Sequence, residues 1–107
     1  MSSTAEETLL AMPAAFLPER AGDAKAQIQL DLTGEDSGQW YLDIADGQCQ
    51  AKNGQAPQPN VTVTMSGKDF VALFNNRLNP VQAFMSGQIK IAGNAGFVLQ
   101  LLNWFER

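Results

Sequence analysis

The chain has 107 residues, of which 45% are hydrophobic and 17% are charged, a balance typical of one globular domain with a buried core. Seven Lys and Arg against eleven Asp and Glu give a net charge of −4, which argues against a nucleic-acid partner because the phosphate backbone requires a basic surface. With no His and one Cys, the chain cannot form an internal disulfide, a Cys/His zinc site or a His-activated nucleophile. We therefore predict no enzymatic activity, no metal and no cofactor.

The amino-terminal segment predicts a helix rather than a targeting signal. Ser3 and Glu6 have capping-box spacing, and apolar residues recur at helical intervals from a start near Thr4. Pro13 lacks a backbone N–H, so we expect the helix to kink or stop there. No apolar run reaches the ~18 residues of a membrane span, and Glu7 lies where a signal peptide would be basic. These features predict a soluble cytoplasmic protein.

Three strands are predicted next, over residues 25–32, 40–45 and 48–52, from the alternation of apolar and polar side chains. Asp46-Gly47 is a strong signal for a two-residue hairpin turn between the second and third strands. The turn pairs Ala45 with Gln48, and the register then places Cys49 opposite Ile44, Ala51 opposite Leu42 and Lys52 opposite Tyr41.

The polar side chains of this meander predict a solvated outer face. We expect Asp31 to oppose Tyr41 near Lys52, with Asp43 on the same face, as surface charges rather than a catalytic or calcium-binding cluster. Cys49 alternates inward, which predicts a small buried hydrophobic residue rather than a reactive thiol.

The second half of the chain alternates strands with short helices. Residues 53–59 form a Pro-containing connector, which predicts that the chain crosses to a new position in the sheet before a fourth strand at 61–66. Ser66 and Asp69 are spaced to cap a following helix, and Asn79-Pro80 begins another, which Gly87 ends. A fifth strand at 89–91 and a last helix from about Ala95 complete the predicted elements.

The last helix carries apolar side chains around nearly its whole circumference as far as Phe105. A domain this small needs only one apolar stripe per helix, so the surplus predicts a buried helix, a subunit interface, a membrane contact or an apolar ligand. Trp104 and Phe105 are the candidates for transient insertion into a membrane interface.

Residues 61–105 resemble the sterol carrier protein type 2 family of lipid-binding domains. The first half fits more loosely, through an apolar first helix and the run Trp40-Tyr41-Leu42-Asp43-Ile44 before an acidic-glycine turn. The motifs that carry the resemblance are Val63-Thr64-Met65-Ser66, Asp69-Phe70 with Leu73, Leu78-Asn79-Pro80, Ala83-Phe84-Met85, Gly87, Ile89-Lys90-Ile91 and Gly93-Asn94.

The resemblance implies an α+β fold in which helices cover one face of a five-stranded mixed, mostly antiparallel sheet and leave an apolar tunnel between the two layers. It implies non-enzymatic binding and transfer or presentation of fatty acids, fatty acyl-CoA, phospholipids or sterol-like molecules. Residues 1–107 would form a single stand-alone domain, consistent with a small bacterial protein. The expected tunnel walls and floor are Phe70, Leu73, Phe74, Leu78, Phe84, Met85, Phe97, Val98, Leu101, Leu102, Ile28, Leu30, Val63 and Ile91.

Charge is unevenly distributed along the chain, with −6 over residues 1–53 and +2 over residues 54–107. Arg77 and Lys90 are therefore the candidate contacts for a carboxylate or phosphate head group, although both also suit an ordinary solvated surface. The rival hypothesis keeps the fold but uses the apolar last helix to form a homodimer or to dock on an enzyme of lipid or quinone metabolism.

Overall fold

A computed structural model describes residues 4–34 and 37–106 as a mixed sheet with helices over one face. The predicted α+β architecture is confirmed. In chain order its elements are α1 (Ala5–Ala15), α2 (Pro18–Ala21), β1 (Ala26–Thr33), β2 (Gly38–Ala45), β3 (Gln48–Asn53), β4 (Val61–Ser66), α3 (Gly67–Phe74), α4 (Pro80–Met85), β5 (Lys90–Ala92) and α5 (Ala95–Leu102).

The strands are arranged in the order β3-β2-β1-β4-β5, and of the described strand pairs only β1/β4 is parallel. The parallel pair arises because the connector after β3 crosses the sheet and delivers β4 beside β1, as predicted. The hairpin register is also confirmed, with Cys49 opposite Ile44. Asp46 and Gly47 both have positive φ, as a two-residue hairpin turn requires.

One predicted pairing is wrong. Asp31 lies opposite Gln39, whereas Tyr41 lies opposite Gln29. The shift of two residues arises because β2 begins at Gly38 and pairs with β1 from that point, not from Trp40. The β5 strand is likewise displaced by one residue from its predicted bounds, with Lys90 opposite Thr64.

Most of the helix-capping predictions are confirmed. The Ser66 Oγ accepts from the Asp69 N–H at 3.0 Å, and the Asn79 side chain accepts from the two N–H groups that follow Pro80. For α1, the Thr4 Oγ1 accepts from the Glu7 N–H, and Ser3 lies outside the described residues. Of the two alternatives expected at Pro13, a stop is wrong, because α1 continues through Pro13 to Ala15.

The polar face of β1 is less solvated than predicted because the β3–β4 connector lies across it. Gln29 is buried, its Oε1 accepts from the Ala56 N–H at 2.7 Å, and its Nε2 donates to the Gly54 carbonyl. Farther out on this face the Lys52 Nζ lies 3.6 Å from the Asp43 Oδ2, whereas the sequence leads us to expect Lys52 near Asp31.

The carboxyl-terminal aromatic residues are buried in the core rather than exposed as candidates for membrane insertion. The last helix ends at Leu102 rather than Phe105, and Trp104 and Phe105 are 5% and 3% exposed. A short pairing with Phe16 fixes the segment, and the Phe105 ring lies 5.5 Å from the Phe16 ring, centroid to centroid. The turn after α5 thus returns these side chains to the core.

The helices in the described part of the chain are too short or too polar to span a bilayer.

The hydrophobic core lies between the helices and the apolar face of the sheet. Its most deeply buried large side chains are Leu9, Ile28, Leu42, Ile44, Val61 and Val63.

Candidate functional site

An apolar cavity of about 130 Å³ lies between the β4/β5 edge of the sheet and helices α3, α4 and α5. All twelve of its described lining residues are apolar: Val63, Met65, Leu73, Pro80, Val81, Phe84, Ile89, Ile91, Ala95, Val98, Leu99 and Leu102. A lining with no ionisable side chain can exclude water and bind hydrocarbon, but it offers no group for acid-base or nucleophilic chemistry.

Strand alternation builds the floor of this cavity. Val63 and Met65 are two residues apart on β4 and therefore share one face, and Val63 lies directly opposite Ile91 on β5. The roof comes from α4 and α5, two short helices that begin at Asn79 and Asn94 caps. Both helices present apolar residues to the cavity from successive turns.

Fourteen residues were expected to line the ligand tunnel, and the structure brings six of them together around the cavity. They lie on all five elements from β4 to α5: Val63, Leu73, Phe84, Ile91, Val98 and Leu102.

The other eight lie elsewhere. Ile28, Leu30, Phe70 and Leu101 are buried in the closed core, and Phe74, Leu78 and Phe97 are partly buried against it. Met85 is 80% exposed and does not line the cavity. The Phe97 ring packs edge-on against Trp104, with centroids 5.9 Å apart, which accounts for part of the apolar surplus of the last helix.

Six lining residues were not anticipated from the sequence: Met65, Pro80, Val81, Ile89, Ala95 and Leu99. Met65 could have been found, because it alternates onto the same face as Val63. Leu99 follows Ala95 by four residues and so shares its helix face. Val81 precedes Phe84 by three residues and Ile89 precedes Ile91 by two, so the spacing of each to an expected lining residue could also have indicated it.

The two candidate head-group cations differ in their placement. Arg77 is exposed in the segment between α3 and α4, three residues before the cavity-lining Pro80. Lys90 is exposed on β5 next to Ile91, so strand alternation directs it to the sheet face opposite the cavity. Neither side chain lines the cavity.

A second concavity of about 470 Å³ is more polar and open, and it adjoins the first. Its lining includes Arg20, Asn76 and Glu106, and the Arg20 Nη1 donates to the Asn103 carbonyl at 3.0 Å. Leu102 lines both spaces and therefore separates the apolar cavity from the polar cleft.

The described residues that line the apolar cavity and the polar cleft include no Cys, Ser or Thr that could act as a nucleophile. Cys49 is buried on β3, and desolvation, with a smaller contribution from Asp43, raises the pKa of its thiol to about 12. Within residues 4–34 and 37–106, no group of three or more Cys, Asp or Glu side chains could hold a metal ion.

Comparison with known proteins identifies the family. Residues 7–106 match the SCP-2 sterol transfer family, so nearly the whole chain is matched. The chain belongs to this family, and its general role is lipid binding or transfer.

Similar proteins include domains of much longer chains. The hydroxysteroid dehydrogenase-like protein 2 of Xenopus tropicalis is 34% identical over 101 residues, which are 94% of this chain and 24% of that protein. The sec-alkylsulfatase Pisa1 from Pseudomonas sp. superimposes with a TM-score of 0.80 at 15% identity over 90% of this chain and 15% of its own.

A structure of similar length is that of palmitated SCP2L2 from Aedes aegypti. It has a TM-score of 0.73 and 25% sequence identity, and the match covers 92% of this chain and 88% of that one. The chain thus spans about a quarter of the longer relative named first and nearly all of the mosquito domain.

Proposed function

We propose that the protein binds a single long acyl chain, as a fatty acid or the acyl group of a larger lipid, in the apolar cavity and carries or presents it without catalysis. The observation that carries this proposal is the lining, in which every described residue is apolar. Each methylene removed from water contributes about 0.8 kcal/mol, so a long chain provides ample binding free energy. The palmitated state of the mosquito relative supports an acyl ligand.

The cavity must widen to accept such a chain. Its 130 Å³ is below the range of about 300–1,000 Å³ typical of ligand pockets. The roof can supply this space, because the backbones of α4 and α5 approach the sheet at few points, whereas α1 lies close to β3 along its length. A flexible acyl chain fits a narrow, adaptable space better than a rigid sterol ring system does, so fatty acids and acyl-CoA are our first ligands and phospholipids and sterol-like molecules our second.

Presentation to an enzyme is a second candidate function, favoured by one observation. The chain spans 24% of a dehydrogenase-like relative and 15% of a sulfatase, so this fold occurs inside longer proteins named as enzymes or enzyme-like. In such a setting the domain would hold a lipid substrate for a partner. An interface built on α5 alone is less favoured, since Val98 and Leu101 are buried and Leu99 is its one exposed large apolar side chain among the described residues.

Native mass spectrometry of the purified protein, followed by titration of the delipidated form with a fluorescent fatty acid, tests the proposal. We expect co-purified lipid or saturable one-to-one binding, with displacement by palmitate or oleoyl-CoA and weaker displacement by cholesterol. A folded protein that binds none of them would contradict the proposal and would indicate that the cavity is closed core.

A matched pair of variants then locates the ligand. Ala95→Leu adds a branched side chain at the cavity wall, whereas Ala92→Leu adds the same atoms on the exposed opposite face of β5. We expect the first to weaken fatty-acid binding at least about tenfold and the second to leave it unchanged. Equal affinities for the two variants would place the ligand elsewhere.

A further inference from the structure

The molecule exposes a cluster of large apolar side chains beside the cavity. Its members are Val81, Phe84 and Met85 of α4 and Leu99 of α5, which together we call the α4 patch. Only one other large apolar residue among the described ones is comparably exposed, Leu10 on α1. Clustered exposure of this kind marks an interaction site far more often than scattered exposure does.

Helix α4 is built to present these side chains. Val81, Phe84 and Met85 are spaced i, i+3 and i+4 and so share one helix face, while Ala83 is fully buried on the other. The Asn79 side chain caps the helix, and after its end the Gln88 N–H donates to the Ala83 carbonyl at 2.9 Å. The exposure therefore belongs to a helix closed at both ends rather than to a frayed segment.

The α4 patch lies at the solvent-exposed side of the cavity. Val81, Phe84 and Leu99 each line the cavity and are also exposed to solvent, so one side of each contacts the binding space and another faces outward. Whatever covers this patch would lie at the entrance to the proposed lipid site.

The charge distribution indicates what kind of surface covers it. Residues 70–105 contain no Asp or Glu, although the whole chain has eleven and a net charge of −4. Arg77 is exposed in the segment that leads into α4, whereas Lys90, the other cation of these 36 residues, lies on the sheet face opposite the cavity and outside this surface. A surface with exposed apolar side chains, a neighbouring cation and no carboxylates complements a lipid bilayer, where apolar groups enter the acyl region and a cation favours anionic head groups.

We propose that the α4 patch is the surface by which the protein docks on a lipid bilayer, so that the cavity entrance opens directly toward the acyl chains. The proposal rests on the lipid-binding role proposed above and adds the place and orientation of membrane contact.

Flotation with phosphatidylcholine vesicles containing about 30% phosphatidylglycerol tests docking, using the full chain. Met85→Asp is the informative variant, because Met85 is 80% exposed and does not line the cavity. Leu10→Asp is its matched control, with the same change at a residue that is 60% exposed on α1. We expect Met85→Asp to lower the vesicle-bound fraction at least about tenfold and to slow transfer of a fluorescent fatty acid to vesicles, while Leu10→Asp changes neither.

Two further measurements keep the outcomes distinct. Circular dichroism verifies the fold of each variant, and Met85→Ser, which adds no charge, should lower the bound fraction in the same direction by a smaller factor. Fatty-acid titration without vesicles reports the proposed function separately, and both Met85 variants should retain the wild-type affinity there.

The proposal is overturned if the wild-type protein does not float with vesicles, or if Met85→Asp floats as well as Leu10→Asp does. It is also overturned if the wild type forms a dimer that Met85→Asp dissociates without any vesicle binding, since the patch would then be an interface between copies. Loss of fatty-acid binding with intact flotation would instead contradict the proposed cavity function and leave the docking surface standing.

Discussion

The half of the sheet formed by β3, β2 and β1 differs from the half formed by β4 and β5 in how closely helices pack on it. On the first half, α1 packs against β3 and α3, and the side chains between them are almost completely buried. On the second, α4 and α5 cover the sheet loosely and enclose a cavity. The difference indicates that stability resides mainly in the first region and ligand binding in the second, although one chain of ordinary composition forms both.

The largest expected effect concerns stability in the closely packed region. Leu42→Ala removes a side chain that is 1% exposed and should lower the free energy of unfolding by about 2–5 kcal/mol. Leu99→Ala, at the exposed cavity rim, should cost less than about 1 kcal/mol. Urea denaturation followed by circular dichroism measures both values. Equal losses would show that the α5 rim is as tightly packed as the core and would remove the contrast between the two regions.

A smaller effect is expected within the second region, at Gly93 between β5 and α5. Its φ of +127° disfavours any side chain, and an added Cβ would lie 3.1 Å from the Val61 Cγ2 and 3.2 Å from the Asn60 carbonyl oxygen. We expect Gly93→Ala to cost about 1–3 kcal/mol and to weaken fatty-acid binding, because β5 and the start of α5 would be displaced together.

Gly54→Ala is the control for this substitution. Gly54 also has a positive φ, +106°, but no atom lies within 4 Å of the added Cβ. The difference in unfolding free energy between the two variants therefore reports the contact with β4 rather than backbone strain alone. If the two losses are equal and fatty-acid binding is intact in both, the junction does not position the cavity wall.

The third prediction uses the buried thiol to test how well the first region excludes water. Burial raises the pKa of Cys49 to about 12 in the folded state, against 9.0 for an unperturbed thiol. Between these values the unfolded chain has lost the thiol proton while the folded chain retains it, so the unfolded state binds fewer protons. Stability should therefore fall as pH rises above about 9, by about 1 kcal/mol per pH unit, and should be unaffected by this group below that pH.

Other groups titrate in the same alkaline range, so the comparison with Cys49→Ala isolates the thiol. The wild-type protein should lose stability faster than this variant between pH 9 and 11, as measured by urea denaturation at each pH. Reaction of the folded wild type with a thiol reagent at pH 8 should also be slow. If the stabilities of the two proteins fall equally with pH and the thiol is labelled rapidly, β3 opens readily. The region formed by β3, β2 and β1 would then not be the more stable one.

The sequence predicted the closely packed region better than the cavity, for a physical reason. Alternation and the Asp46-Gly47 turn determine the β2/β3 register locally, and they placed Cys49 opposite Ile44 correctly. The β1/β2 register depends on where pairing begins after a longer loop, and the expected partner of Asp31 was wrong by two residues. Strand register can thus be predicted from the sequence when a short turn fixes which residues pair first.

The cavity residues were harder to predict because each belongs to a short element whose orientation is set by tertiary packing. Phe97 and Val98 are adjacent on one apolar helix, yet Val98 lines the cavity and Phe97 packs on Trp104. On α4, Phe84 lines the cavity and Met85 is exposed. An apolar surplus indicates that something must be covered, but it does not distinguish core, cavity and outer surface one residue at a time.

The smallest expected effect concerns the head group of the ligand. We predict that Arg77→Gln weakens palmitate binding about two- to fivefold at low salt, because an exposed cation near the cavity contributes modestly to holding a carboxylate. Lys90→Gln, on the opposite sheet face, should have no effect, and the double variant should behave like Arg77→Gln. Competition against a fluorescent fatty acid measures these affinities, and high salt should abolish the difference.

Hexadecanol separates the head-group contribution from that of the acyl chain, since it has the same chain length and no charge. Its affinity should be equal in the wild type and in Arg77→Gln. If Arg77→Gln weakens both ligands alike, Arg77 supports the roof of the cavity rather than the carboxylate. If palmitate and oleoyl-CoA affinities are unchanged in the double variant at both salt concentrations, neither cation contacts the head group, and the loosely covered region recognises its ligand through the apolar cavity alone.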